Sequence, residues 1–224
     1  MQLARLLFIA SVAGFGFYAP AAEPLGIVTG PKTGTYYAFG KDISQVAKKV
    51  GVDLEVKSSE GSIDNIKRIN SSENAALGIV QSDVLGFLGR SKNPDSVRMA
   101  SKLRMVFPFY NEEVHVLARK SIKSFADLQD KKVAVGEDGS GNMLTSINLF
   151  SMMNITPAET LKIPPAQGVA EVLKGEIDAA LFVGGKPVRL FKNLEELSLP
   201  ENQKYASMLQ QVHFLPLDNP KMLE

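Results

Sequence analysis

AALGIVQSDVLGFLG, residues 75–89, opens with an apolar run from Ala75 to Val80 that stops at the polar triplet Gln81, Ser82 and Asp83 before a second apolar segment begins. This pattern predicts a buried strand ending in a polar turn that opens a helix, with Ser82 as the N-cap and Asp83 in the first turn. Gln81 then sits at the strand's carboxyl edge beside free backbone N–H groups. In open α/β sheets that edge is where small ligands bind.

The same unit recurs upstream. Leu25 to Thr29 reads as a strand, GPKTGT as a Gly-rich turn and Tyr36 to Val50 as a helix, with Phe39, Ile43, Val46, Ala47 and Val50 on one face. Val52, Leu54 and Val56 alternate as a strand does, SSEGS turns, and Ile63, Ile66 and Ile69 mark another helix capped by Ser62. Three strand, turn and helix units in succession imply a mostly parallel sheet, and they put all three turns on one rim.

Further on, Leu103 to Tyr110 and Val114 to Arg119 are strand-like apolar runs separated by Asn111, Glu112 and Glu113. The second half repeats the earlier pattern. Ser124 caps a short helix, Lys132 to Gly136 is a strand, EDGSG a Gly-rich turn and Asn142 to Met153 a helix. Ala170 to Lys174 is helical, and Asp178 to Val183 is a strand ending in VGGKP. The expected organisation is two α/β lobes: residues 22–111 with 213–224 form the first and residues 112–212 the second. Strands crossing out near residue 110 and back near Val212 to Leu217 make a hinge, and the cleft between lobes is a preferred ligand site.

With 224 residues, 45% hydrophobic and 22% charged, the chain suits a globular α/β protein. Its start is different: Arg5 precedes an apolar core from Leu6 to Phe17, and Ala19-Pro20-Ala21 offers an A-x-A cleavage site. Residues 1–21 read as a secretory signal peptide, with an uncleaved N-terminal anchor as the alternative. Cleavage removes Arg5, one of 25 basic residues facing 24 acidic ones, and brings the net charge to about zero. A nucleic-acid surface is not indicated. Cysteine is absent, which excludes disulfide-linked partners, thiolate metal sites and the lipid-modified cysteine that tethers many exported bacterial proteins. The expected location is the periplasm, with simple secretion second.

The turns carry the chemistry. In GEDGSGN, residues 136–142, glycines let the backbone approach a ligand while the following helix presents unpaired N–H groups, a combination that attracts carboxylate or phosphate. The same glycines also serve a plain strand-to-helix connection. No Walker loop or dinucleotide fingerprint is present, since Leu144 falls where the third glycine would stand. A rim tyrosine, Tyr36 or Tyr37, covers an apolar ligand part or else packs within its helix. Gly184 either brings bare backbone to the cleft or is only a turn glycine. One of Glu112 and Glu113 is available for ligand contact, though both also suit a solvated turn. His115 and His213 lie in apolar strand-like runs and read as structural, which leaves Ser140 without a base and zinc without a ligand set. No catalytic residue, metal or cofactor is assigned. No arginine falls in the turns, and Arg119 or Arg189 would have to supply a carboxylate clamp.

The segments GPKTGTYYAFG (30–40), EGSIDNIKRI (60–69), ALGIVQSDVLG (76–86), EEVHVLARKSIKSFADLQDKKVAVGEDGSG (112–141) and LKGEIDAALFVGGKP (173–187) occur in one order and cover most of the chain. In them the chain resembles the TAXI group of extracytoplasmic solute-binding proteins, receptors of a subclass of tripartite ATP-independent periplasmic (TRAP) transporters. The resemblance implies a type II periplasmic-binding-protein-like α/β fold, with two mostly parallel lobes closing on a small organic anion such as glutamate or another carboxylate. The solute is then delivered to a TRAP membrane permease. Carried onto matching positions, the ligand-binding residues would be Thr35, Tyr36, Gly61, Ser62, Gln81, Ser82, Ser140, Gly141 and Gly184. Gln81 would bond through its amide, and Ser62, Ser140 and Gly141 would hold anionic oxygens. Relatives usually continue beyond Leu215-Pro216-Leu217 to complete the first lobe. An ABC-type or sensor receptor shares this fold. A lyase on it, such as a prephenate dehydratase, carries a Thr-Arg-Phe segment that is absent here.

Overall fold

A computed structural model describes residues 25–71, 75–186 and 188–220; the expected signal peptide lies outside them. In chain order the first lobe runs β1 (Leu25–Val28), α1 (Thr35–Lys49), β2 (Leu54–Lys57), α2 (Ser62–Ser71), β3 (Leu77–Gly78), α3 (Ser82–Gly89) and α4 (Pro94–Lys102). Its three strands pair in parallel in the order β2-β1-β3, with Ile27 opposite both Val56 and Leu77. Parallel pairing follows from the helix inserted between each pair of strands, which carries the chain back before the next begins. One apolar cluster joins Ile27, Leu54 and Ile79 to Phe39, Ile43 and Ala47 of α1, and another joins Ile66 of α2 to Val84 and Leu88 of α3. Helices therefore cover the sheet on both faces, as a parallel sheet requires.

The second lobe comprises β4 (Glu113–Arg119), β5 (Lys132–Ala134), α5 (Gly141–Met153), β6 (Glu159–Leu161), α6 (Pro165–Lys174), β7 (Ala179–Gly184), α7 (Arg189–Leu197), α8 (Ala206–Leu209) and β8 (Val212–Phe214). Its sheet order is β6-β5-β7-β4-β8. The β6-β5-β7 core is parallel and repeats the arrangement of the first lobe, while β4 and β8 add antiparallel strands. Between β4 and β5 the expected cap is present. Ser124 and Asp127 form a capping box on a short 3-10 turn, Phe125–Leu128, whose Phe125 and Leu128 are buried in the core.

Three expectations are corrected. Val212 to Leu217 does not return to the first lobe: β8 pairs with β4, placing His213 opposite Ala118, and Leu215 is buried in the second lobe's core. β4 offers the open edge on which residues 212–214 pair. Leu103 to Tyr110 is not a strand, and Met105, Val106 and Phe107 stand 82%, 81% and 67% exposed. Apolar composition favours a strand only where a neighbouring edge is free to pair. The segment instead anchors by its far end, where Tyr110 stacks on Phe39 with ring centroids 5.1 Å apart. Finally, Gln81 rather than Ser82 is the N-cap of α3, and Ser62 is the first residue of α2 rather than its cap.

Asn65 ties the first lobe together. Fully buried on α2, it donates to the carbonyls of Thr29 (2.6 Å) and Ile79 (2.7 Å), where β1 and β3 end, and its Oδ1 accepts from Ser59 Oγ (2.5 Å) beyond β2. Asn65→Ala strands these groups without partners. It is expected to cost about 2–4 kcal/mol of stability in urea unfolding, more than truncating an exposed asparagine.

Candidate functional site

The carboxyl ends of both sheets face each other, and the turns leaving them meet directly. The carbonyl of Gly139 accepts the backbone N–H groups of Ile63 (3.0 Å) and Asp64 (3.2 Å) in the first turn of α2. Gly61, at φ +120, lies against Ser140; a Cβ there would stand 3.4 Å from Ser140 Cα. Gln81 fills the space beside Gly141 so completely that a side chain on Gly141 would collide with its Oε1. Ser140 is the N-cap of α5: its Oγ accepts from Met143 N (3.1 Å) and donates to the Glu137 carbonyl (2.6 Å). Ser62 Oγ accepts from Gln81 N at 3.1 Å. The hydroxyls of Ser62 and Ser140, expected to hold an anion, are thus each engaged within their own lobe.

Cavities open on either side of this contact. One, of about 320 Å³, lies under the first two turns and is lined by Lys32, Ser59, Glu60, Arg68 and Glu137 among others. Arg68 there is paired with Asp64 at 2.9 Å. The other, of about 360 Å³, lies beside the segment connecting the lobes. Gln81, Ser82 and Asp83 enter it from the start of α3, Asn111 and Glu112 from the connection, and Thr145 from α5. Tyr110, Val114 and Val183 complete its wall. Thr145 joins the halves: its hydroxyl donates to Asp83 Oδ2 at 2.5 Å, and Gln81 Nε2 reaches its oxygen at 3.5 Å.

Of the nine residues singled out from the sequence, Gln81 and Ser82 line this cavity. Tyr36 joins it indirectly, donating from Oη to Glu112 Oε2 at 2.7 Å. Gly61, Ser62, Ser140 and Gly141 form the contact between the turns. Thr35 is exposed at the start of α1, and Gly184 packs against Phe182 at the end of β7; neither lines a cavity described here. Arg119 is remote as well, its guanidinium lying over Gly175 and directed at the carbonyl of Val172 (3.4 Å). The residues the pattern did not single out are Asp83, Tyr110, Asn111 and Thr145. In the sequence Asp83 reads only as a helix-start acid, and Thr145 carries no local signal on a helix interior.

Glu112 is the electrostatic centre of the cavity. Burial pushes its carboxyl above the ordinary carboxylate range; the bond from Tyr36 pulls it part of the way back, and the charge of Asp83 adds to the rise. Burial, reinforced by Glu112, pushes the hydroxyls of Tyr36 and Tyr110 far up, so both stay neutral. Of the two histidines, His213 Nε2 lies 2.7 Å from the Ile122 carbonyl, and His115 is packed among Phe182, Phe191 and Phe214, where burial lowers its pKa.

Two lobes with opposed strand ends and a polar cavity beside their connection define the type II periplasmic-binding-protein class of fold. Solved structures share it. An ancestral arginine-binding protein bound to arginine superposes with a TM-score of 0.52 at 18% identity, covering 86% of this chain and 78% of that one. An arginine third transport system periplasmic binding protein from Legionella pneumophila gives 0.51 at 10% identity, covering 86% and 79%. Tv2483 bound to L-arginine gives 0.52 at 13% identity, covering 86% and 72%. Residues 27–204 match the NMT1-like family, and the chain belongs to that family.

Because Glu112 titrates above its ordinary range in the folded chain, folding favours its neutral form. That contribution is present below the ordinary value and is lost as pH rises through the raised one. Glu112→Gln retains an acceptor for Tyr36, so without ligand it is expected to match or exceed the parent's stability at about pH 8 and to lose that advantage by about pH 4, read by urea unfolding.

Proposed function

We propose that this protein is a periplasmic solute-binding receptor that takes up a small amino acid or organic acid in the cavity between its lobes and presents it to a membrane permease of the TRAP type. The observation that carries this reading is the cavity of about 360 Å³ lined by polar side chains of both lobes, at the foot of the connection about which the lobes would close. A volume in this range suits a metabolite-sized ligand. Family membership and the fold support a receptor rather than a lyase. Export by a cleaved signal peptide at residues 1–21, together with the absence of cysteine, supports an untethered periplasmic protein.

The mechanism is a population shift. Asp83, Gln81 and Thr145 already bridge the lobes, so a solute that bonds to both sides favours the closed form by its differential affinity for that form. The domain boundary belongs to the same proposal: residues 25–111 move as one lobe and residues 112–215 as the other.

A thermal-shift panel of amino acids and small carboxylates on the purified protein is expected to find a stabilising ligand. At a hundredfold excess over its Kd the gain is about 2.7 kcal/mol. Gln81→Ala is expected to abolish that gain and, because its side chain packs against Gly141 and reaches Thr145, to lower the melting of the empty form as well; the exposed Ser82→Ala is expected to reduce the gain with the empty form nearly unchanged. A panel in which nothing shifts the melting overturns the receptor reading.

A further inference from the structure

Within the cavity the charge is one-sided. Asp83 and Glu112 both line it, and among the described side chains no lysine or arginine does. The neighbouring acid shows the contrast: Glu113 is paired with Lys186 at 2.6 Å, whereas Glu112 has a tyrosine hydroxyl as its donor. A partly buried carboxylate without a counter-charge is a costly arrangement, and two facing one cavity repel each other. Tyr110 stands in the same wall, its hydroxyl buried beside Glu112. A wholly anionic guest would meet two like charges here and no compensating cation.

We propose that the solute carries a protonated amino group, received by the carboxylates of Glu112 and Asp83 beside the Tyr110 hydroxyl, so that the receptor selects amino acids over the corresponding deaminated acids. This rests on the receptor reading and sharpens it. A solute carboxylate is then turned away from Glu112, toward the amide of Gln81 and the exposed hydroxyl of Ser82. Selection is by charge: an ammonium group supplies three donors to the carboxylates of Glu112 and Asp83, and a keto or hydroxy group in its place leaves Glu112 uncompensated.

The test is calorimetric titration of the full protein with the common L-amino acids, each paired with its 2-oxo counterpart. The best-binding amino acid is expected to exceed its deaminated partner by on the order of a hundredfold. Glu112→Gln, which keeps the bond from Tyr36, is expected to bring the two close together by weakening the amino acid alone; Asp83→Asn is expected to narrow the ratio in the same direction. Melting of each empty variant reports that it is folded. Equal affinity for both members of a pair, or a ratio unmoved in both variants, overturns the proposal while leaving the receptor reading in place. Failure of every compound in both series overturns the receptor reading and this inference with it.

Discussion

The arrangement of the site depends on one backbone contact, in which the carbonyl of Gly139 receives the first amides of α2 from the opposite lobe. A helix start leaves its leading N–H groups without partners, and it attracts whatever acceptor comes near. Here the acceptor is the protein itself. Because the turns carrying Gly61 and Ser140 pack against each other, the cleft is not one trough but two cavities separated by this contact. Ser62 and Ser140 spend their hydroxyls on bonds within their own lobes, and the larger cavity is lined further along, by Gln81 to Asp83 and Tyr110 to Glu112.

This division changes the chemistry of the site. Glycine-rich turns and helix starts carry partial positive charge and by themselves favour an anion. With the start of α2 bonded to the Gly139 carbonyl, the charged side chains lining the cavity near the connection are Glu112 and Asp83. The raised titration of Glu112 reports the same condition from another direction: burial without a counter-charge disfavours the carboxylate. A carboxylate held at such a cost is the kind of arrangement by which binding sites trade stability for selectivity.

The connection between the lobes is also unlike the rest of the structure. Residues 103–110 belong to no strand and expose several apolar side chains, although their far end is fixed by Phe39 stacking on Tyr110. Tyr110 and Glu112 therefore enter the cavity from a segment held at its ends rather than along a sheet. Movement of the lobes relative to each other would be concentrated in this stretch, which carries Tyr110 at its end.

The order of strands, turns and helices was legible in the chain because alternation and helical spacing are local properties: the run from Ala75 to Val80, the packed positions Phe39, Ile43 and Ala47 of α1 and the cap at Ser124 all depend on near neighbours, whereas Val46 and Val50, read onto the same face of α1, stand exposed because no element among the described residues covers them. The same locality made Gln81 and Ser82 readable as rim residues, since each follows the end of a strand. Pairing and charge compensation are not local. Val212 to Phe214 became a strand of the second sheet because β4 lay open beside it, and Leu103 to Tyr110 stayed out of a sheet although its composition resembles a strand. In the sequence Glu112 and Glu113 are adjoining acids of equal standing. Only the tertiary structure gave one a lysine partner and buried the other beside two tyrosines, because a side chain's charge is decided by what the fold brings against it.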